Sequence, residues 1–227
     1  MSKRTIKPSH YSFTGRVPSA KNRNSRQAES QLEQDFLVLL EFQKDVARFG
    51  VQPITIRWMG VKGRIERYTP DVVVFYHTRM DSKPIYLPTL FEVKPYAILK
   101  RDWTLLRPKY RAATSWARER DFRFKLITDV QIRTPYLQNV RFLSRYSEGV
   151  LWSNGHWDAH RHISLRETLR KLGTSTPSYL LDAITNCKNV QLELIPILWQ
   201  MMHIGVIAAD LTKPLNMNTP IWLAMVK

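Results

Sequence analysis

The sequence predicts an α/β protein: a mixed sheet flanked by helices, followed by a smaller, mainly helical unit. Three observations carry this. Residues 28–44 repeat apolar side chains at helical spacing, with Leu32, Phe36, Leu39 and Leu40 on one face. Three β-rich runs punctuated by Gly and Pro lie between residues 54 and 93. An amphipathic helix at 103–120 and a fourth strand at 122–128 follow, so the order is helix, three strands, helix, strand.

Each element has its own signal. Ser30, with Glu33 three residues on, reads as a capping box opening the first helix. Asp45 through Gly50 reads as its end. Ile54–Trp58 alternates and is β-rich, and Gly60–Gly63 reads as a turn. Arg64–Tyr76 is a second strand interrupted at Thr69-Pro70, with Val72–Phe75 buried. A polar turn, His77–Pro84, leads to a third strand, Ile85–Val93, in which Pro88 belongs at an edge or bulge. The helix of 103–120 begins near Pro108 or is kinked there. Tyr110, Ala113, Trp116 and Ala117 form its apolar face, and Arg107, Lys109, Arg111, Arg118 and Arg120 coat the other. Residues 144–163 are polar and turn-rich. Beyond them Ser164 and Glu167 cap one helix, Pro177 starts another, and Val190–His203 forms a third closed by Gly205. Val206–Leu211 and Pro220–Ala224 complete a hairpin. Three helices and a hairpin make a winged helix. The expected division is a basic flexible arm (1–27), a first domain (28–148), a linker (149–163) and a winged-helix partner-binding domain (164–227).

With 227 residues and 44% hydrophobic side chains, the chain is long and apolar enough to bury a core. No run approaches 18 apolar residues, so no membrane span is expected. Lys3, Arg4 and Lys7 are not followed by an apolar stretch, which argues against a secretory signal. The single cysteine, Cys187, excludes an intramolecular disulfide, fits a reducing cytosol and is expected to be buried. The seven tryptophans are expected mostly in the core. The formal charge of +16 is uneven: residues 1–149 hold 28 Lys/Arg against 14 Asp/Glu, residues 150–227 only 7 against 5. A basic excess of this size attracts a polyanion through counterion release, which points to nucleic acid.

The chemistry-bearing stretch is Tyr68-Thr69-Pro70-Asp71 followed by Phe91-Glu92-Val93-Lys94. Period two puts Glu92 and Lys94 on one face of their strand end, and pairing of the two strands sets Asp71 beside Glu92. Hard carboxylate oxygens of this kind hold Mg²⁺, which neutralises phosphorane charge and activates water for phosphodiester hydrolysis. Asp71 is the expected principal ligand, with Glu92 and the Val93 carbonyl completing the sphere. Lys94 orients the water or stabilises charge. This is the PD-(D/E)xK pattern of nucleases. Asp81-Ser82-Lys83 repeats the tripeptide, but in a polar turn. The plainer reading of Glu92 and Lys94 is an ion pair on an exposed edge.

The first helix, "VQP", "YTPDVVVF", "FEVKP" and "FKLITDVQIR…NVRFL" together resemble the TnsA endonucleases of heteromeric cut-and-paste transposons, over about residues 28–145. The resemblance implies a restriction-endonuclease-like fold. It also implies cleavage of double-stranded DNA at the 5′ ends of a transposon, with Mg²⁺, or Mn²⁺ in its place. Implied partners are a TnsB-like transposase and a TnsC-like ATPase docked on the C-terminal domain, in the bacterial cytoplasm. It further implies a helix-borne glutamate ligand, for which Glu33 is the match and Glu29 the alternative; Glu33 also has its bland role in the cap. Gln52 matches the family without an assigned role. A free-standing restriction-like or junction-resolving nuclease, and an inactive DNA-bridging adapter, are the competing readings.

Other signals are set aside. His156, Asp158, His160 and His162 fall within seven residues, but no cysteine or second cluster supports zinc. No Gly-rich phosphate loop appears. The last long helix offers Gln191, Glu193 and Gln200 but no Lys or Arg from Asn189 to His203, which favours a protein partner over DNA for the tail.

Overall fold

The computed structural model describes residues 15–17, 21, 26–60, 63–78, 86–147 and 159–224, with backbone only for 15–17 and 26–28. The chain divides into two compact units, Met1–Arg133 and Thr134–Lys227. No helix among the described residues is long and apolar enough to cross a membrane.

In the first unit a four-stranded mixed sheet has the order β3-β6-β7-β8: Val46–Val51, Val72–Tyr76, Thr89–Val93 and Arg123–Ile127. The first two pairings are antiparallel and β7–β8 is parallel. The crossover that parallel pairing requires is made by two helices, α2 (Tyr96–Arg101) and α3 (Trp103–Arg118). Helix α1 (Gln31–Phe42) packs on the sheet with its apolar stripe; Leu32, Phe36, Leu37, Leu39 and Leu40 are buried, and the Phe36 and Phe91 rings lie 5.0 Å apart. The α3 face of the sheet holds the other core, Ile56, Tyr68, Val73, Leu90, Tyr110, Ala113 and Ala117. Burying an aliphatic side chain here contributes roughly 1.5–3 kcal/mol.

Several expectations change. Asp45 through Gly50 reads as the end of the first helix, but Val46–Val51 forms β3; a register shift between Val46 and Arg48 breaks the alternation that marks a strand. The runs around 54–58 and 64–68 become a separate antiparallel pair, β4 (Ile56–Met59) and β5 (Ile65–Tyr68), because Pro70 separates β5 from β6. The third strand begins at Thr89, after Pro88; Asp81-Ser82-Lys83 lies outside the described residues. Helix α3 starts at Trp103 and runs through Pro108. Helices α2 and α4 (Asp129–Ile132) were not anticipated. Tyr96 N–H donates to the Asp129 carboxylate at 2.6 Å, and Thr128 with Gln131 makes a capping box.

Within the stretch expected as a free arm, β1 (Gly15–Val17) pairs with β2 (Arg26–Ala28). Lys21 Nζ donates to the carbonyls of Leu40, at 2.8 Å, and Gln43 at the C-terminus of α1, where a cation suits the helix dipole. The rest of residues 1–27 lies outside the described residues.

The second unit opens with α5 (Pro135–Leu143), earlier than the expected boundary, and a short 3-10 turn (Ser144–Tyr146) follows. Asn139 explains why α5 belongs here: its amide donates to the carbonyls of Leu211 and Lys213 and accepts from Leu215 N–H. Three helices follow, α6 (Ala159–Leu172), α7 (Pro177–Ile184) and α8 (Lys188–His203). A three-stranded antiparallel sheet of order β10-β11-β9 accompanies them (Ile207–Ala209, Ile221–Leu223, Thr174–Ser175). Residues 159–163 of the expected linker are helical, so Ser164 lies inside α6 rather than capping it; residues 148–158 lie outside the described ones. Cys187 is exposed rather than buried, at the N-cap of α8. Of the five described tryptophans only Trp199 is buried, and Trp103 and Trp222 are exposed.

Candidate active site

The site lies at one end of the mixed sheet. Antiparallel pairing sets Val72 opposite Phe91, so Asp71 and Glu92 are the next positions facing each other. Asp71 Oδ2 accepts the Val93 N–H at 2.7 Å, which fixes the carboxylate against β7. Glu92, buried to 3% exposure, shares its side of β7 with Leu90 and so faces α3. Lys94 is anchored by donating its N–H to Ile127 O at 3.0 Å, and its ammonium stands 3.5 Å from Glu92 Oε1.

Around Glu92 the structure gathers groups that sequence reasoning missed. Tyr68 Oη donates to Oε2 at 2.6 Å. Lys109 Nζ, at 2.9 Å, and Tyr110 Oη, at 3.2 Å, donate to Oε1. Burial first, and then the neighbouring Glu92 charge, push both phenols well above the usual tyrosine range. One signal was available for Lys109: it precedes Ala113 by four and Trp116 by seven, which sets it on the apolar face and not on the exposed basic coat.

Glu33 makes the cap expected of it. Its backbone N–H donates to Ser30 Oγ at 3.2 Å, and its carboxylate accepts from Ser30 Oγ and Glu29 N–H, which completes the cap. Burial, outweighing those two bonds, raises its proton affinity, and the charges of Glu29 and Glu92 add to the effect. The Asp71 carboxyl is raised well above the ordinary Asp range, by burial first and then by Glu92 and Glu33; the Val93 N–H and Lys94 oppose this. Glu33, Asp71 and Glu92 therefore share one field. Glu29 stands a step aside and accepts from Gln52 Nε2 at 2.6 Å. Gln52 has a left-handed backbone, φ 46°, and its N–H donates to Asp71 O at 2.8 Å.

Among the described residues, no group of three or more His, Cys, Asp or Glu is gathered tightly enough to hold a metal ion. The donor chemistry nonetheless fits a hard divalent cation: burial, and then the Glu92 charge, raise the proton affinity of Asp71 and Glu33, and a cation offsets both costs. Of the discounted histidine cluster, His156 and Asp158 lie outside the described residues, and His162 stands 3.3 Å from Gln200.

A mixed α/β unit of this kind, with paired acidic residues and a lysine at one end of the sheet, fits the restriction-endonuclease-like class. Residues 43–129 match the family model described as TnsA-like endonuclease, N terminal. That stretch is less than half of the chain; it is similar to the TnsA-like endonuclease N-terminal domain, which supports a nuclease activity in general. It contains Asp71, Glu92, Lys94 and Lys109, while Glu33 and the second unit lie outside it. No curated protein matches the chain.

Proposed function

We propose that this protein is a transposon-end DNA endonuclease that hydrolyses the 5′-side phosphodiester during cut-and-paste transposition in the bacterial cytoplasm. The observation that carries the reading is Asp71 and Glu92 facing each other across two paired strands, with Lys94 beside Glu92, inside the TnsA-like stretch. Asp71, Glu92, the Val93 carbonyl and Glu33 are the residues proposed to hold Mg²⁺, with Mn²⁺ able to replace it. Bound there, the ion supplies Lewis-acid neutralisation of phosphorane charge and a more acidic water. Asp71 contributes a carboxylate already oriented by the Val93 amide. Lys94 orients the attacking water or offsets charge on the phosphate. The basic excess of residues 1–149 supports double-stranded DNA as the substrate.

The second unit is proposed to be a winged helix that docks protein partners, a TnsC-like ATPase in particular, within an assembly that includes a TnsB-like transposase. What supports a protein partner is α8. Gln191 and Gln200 are buried, Gln191 bonding to Asp182 and the Thr185 carbonyl, and Glu193 pairs with Arg161. Beyond its first turn the helix exposes the apolar side chain of Leu192, which suits a protein contact.

The test is supercoiled plasmid with Mg²⁺ or Mn²⁺, with and without the two partners. Cleavage that appears only with partners, at transposon ends, is the expected result. Vigorous cutting by the protein alone would point to a free-standing nuclease. Silence throughout, with partner binding retained, would point to an adapter.

A further inference from the structure

Glu92 already has a cation. Lys109 Nζ lies 2.9 Å from Oε1, nearer than Lys94 at 3.5 Å. The same ammonium sits 4.7 Å from the Tyr68 ring centre and 4.8 Å from that of Tyr110. Both of those tyrosines also donate their hydroxyls to Glu92. Two aromatic faces and one buried carboxylate thus form a cage, and such a cage is selective for positive charge.

We propose that Lys109 is a positioning residue that holds the cation place at Glu92 Oε1, and that a divalent ion engages this carboxylate only as the Lys109 ammonium withdraws. The inference rests on the metal-dependent reading above. Its basis is valence and charge. Oε1 accepts from both Lys109 and Tyr110, and Oε2 accepts from Tyr68, so three of about four lone-pair directions on the carboxylate are in use. Mg²⁺ requires ligand oxygens at about 2.0–2.1 Å in near-octahedral array. An ion that close to Oε1 would face an ammonium only about 3–4 Å away, and at that range like charges repel strongly in a buried site. Lys109 is able to leave. Its flexible four-carbon stem projects from α3, and its side chain is 22% exposed. Lys94 stands farther from Oε1, at 3.5 Å.

Calorimetric titration of the full-length protein with Mn²⁺ alone, without DNA, is the test. Lys109→Met is expected to bind Mn²⁺ about tenfold more tightly than wild type, because metal entry no longer breaks a charge-assisted hydrogen bond. Lys109→Arg, which keeps a cation in the cage, should stay near wild type, and Asp71→Asn should lose binding. A lysine that merely braced the fold would, when removed, weaken Mn²⁺ binding instead. If Lys109→Met binds equally or more weakly while Asp71→Asn abolishes binding, this inference fails and the metal reading stands. If no form binds Mn²⁺, both fail. Should Lys109→Met not fold, a wild-type crystal soaked in Mn²⁺ decides. An ion on Glu92 with Nζ beyond 4 Å supports displacement, and an ion there with Nζ still at hydrogen-bonding distance overturns it.

Discussion

The two units bury polar side chains to different ends. In the C-terminal unit Asn139 has both amide hydrogens and its oxygen bonded to backbone, closing α5 onto residues 211–215, and Gln191 ties α8 to Asp182 and Thr185. These groups are satisfied locally and neutral. In the N-terminal unit Glu33, Asp71 and Glu92 crowd negative charge, and two of them are pushed toward protonation. Buried polarity that is fully matched is architecture; buried carboxylates with raised proton affinity mark a candidate site.

That contrast can be broken in four ways. Asp71→Ala should lower cleavage by on the order of a thousandfold or more while leaving the circular dichroism spectrum unchanged, since the role proposed for Asp71, holding a metal ion, acts mainly in the transition state. A variant that nicks plasmid at the wild-type rate would remove Asp71 from the site. Asn139→Ala should cost the second unit about 2–4 kcal/mol, because three backbone groups lose a partner, and urea denaturation measures it. A loss under half a kilocalorie would mean that water replaces the amide.

Asp71→Asn should do the reverse and stabilise the metal-free protein at neutral pH, because it removes a charge that burial and the Glu92 and Glu33 carboxylates disfavour. The sign follows from the direction of the shift. A carboxyl raised in the folded state stabilises fully below its unfolded value, ordinarily 3.8, and loses that contribution as pH rises through the folded value. The gap between variant and wild type should therefore open with rising pH and close near pH 4; a gap that widens in acid would contradict it. Smallest of all, Cys187→Ser should change stability by less than about 0.5 kcal/mol, as expected of an exposed side chain. A loss above 1 kcal/mol in thermal melts would mean the thiol is packed.

Much of this was legible in the sequence wherever a single local signal sufficed. Ser30 and Glu33 cap α1, Pro177 opens α7, and alternation on either side of Val93 sets Glu92 and Lys94 on one face. What escaped depended on tertiary pairing. The β3 strand is broken by a bulge, and β4 and β5 leave the main sheet although they read as part of it. Cys187 is apolar enough to suggest a core, yet it falls at a helix cap. The site was half visible for the same reason. Strand residues two apart announce themselves, but Tyr68, Lys109 and Tyr110 reach Glu92 from β5 and α3, and no spacing connects them.

The aromatic surround of Glu92 also makes the protein its own optical instrument. The Trp103 ring centre lies 6.1 Å from that of Tyr110, and the indole is 42% exposed. Emission from an indole depends on its neighbours and its hydration, so any event that frees the Tyr110 hydroxyl from Glu92 should register as a spectral change. Entry of the proposed ion should then be visible in solution without a label, on a chain whose other exposed described tryptophan, Trp222, sits in the second unit.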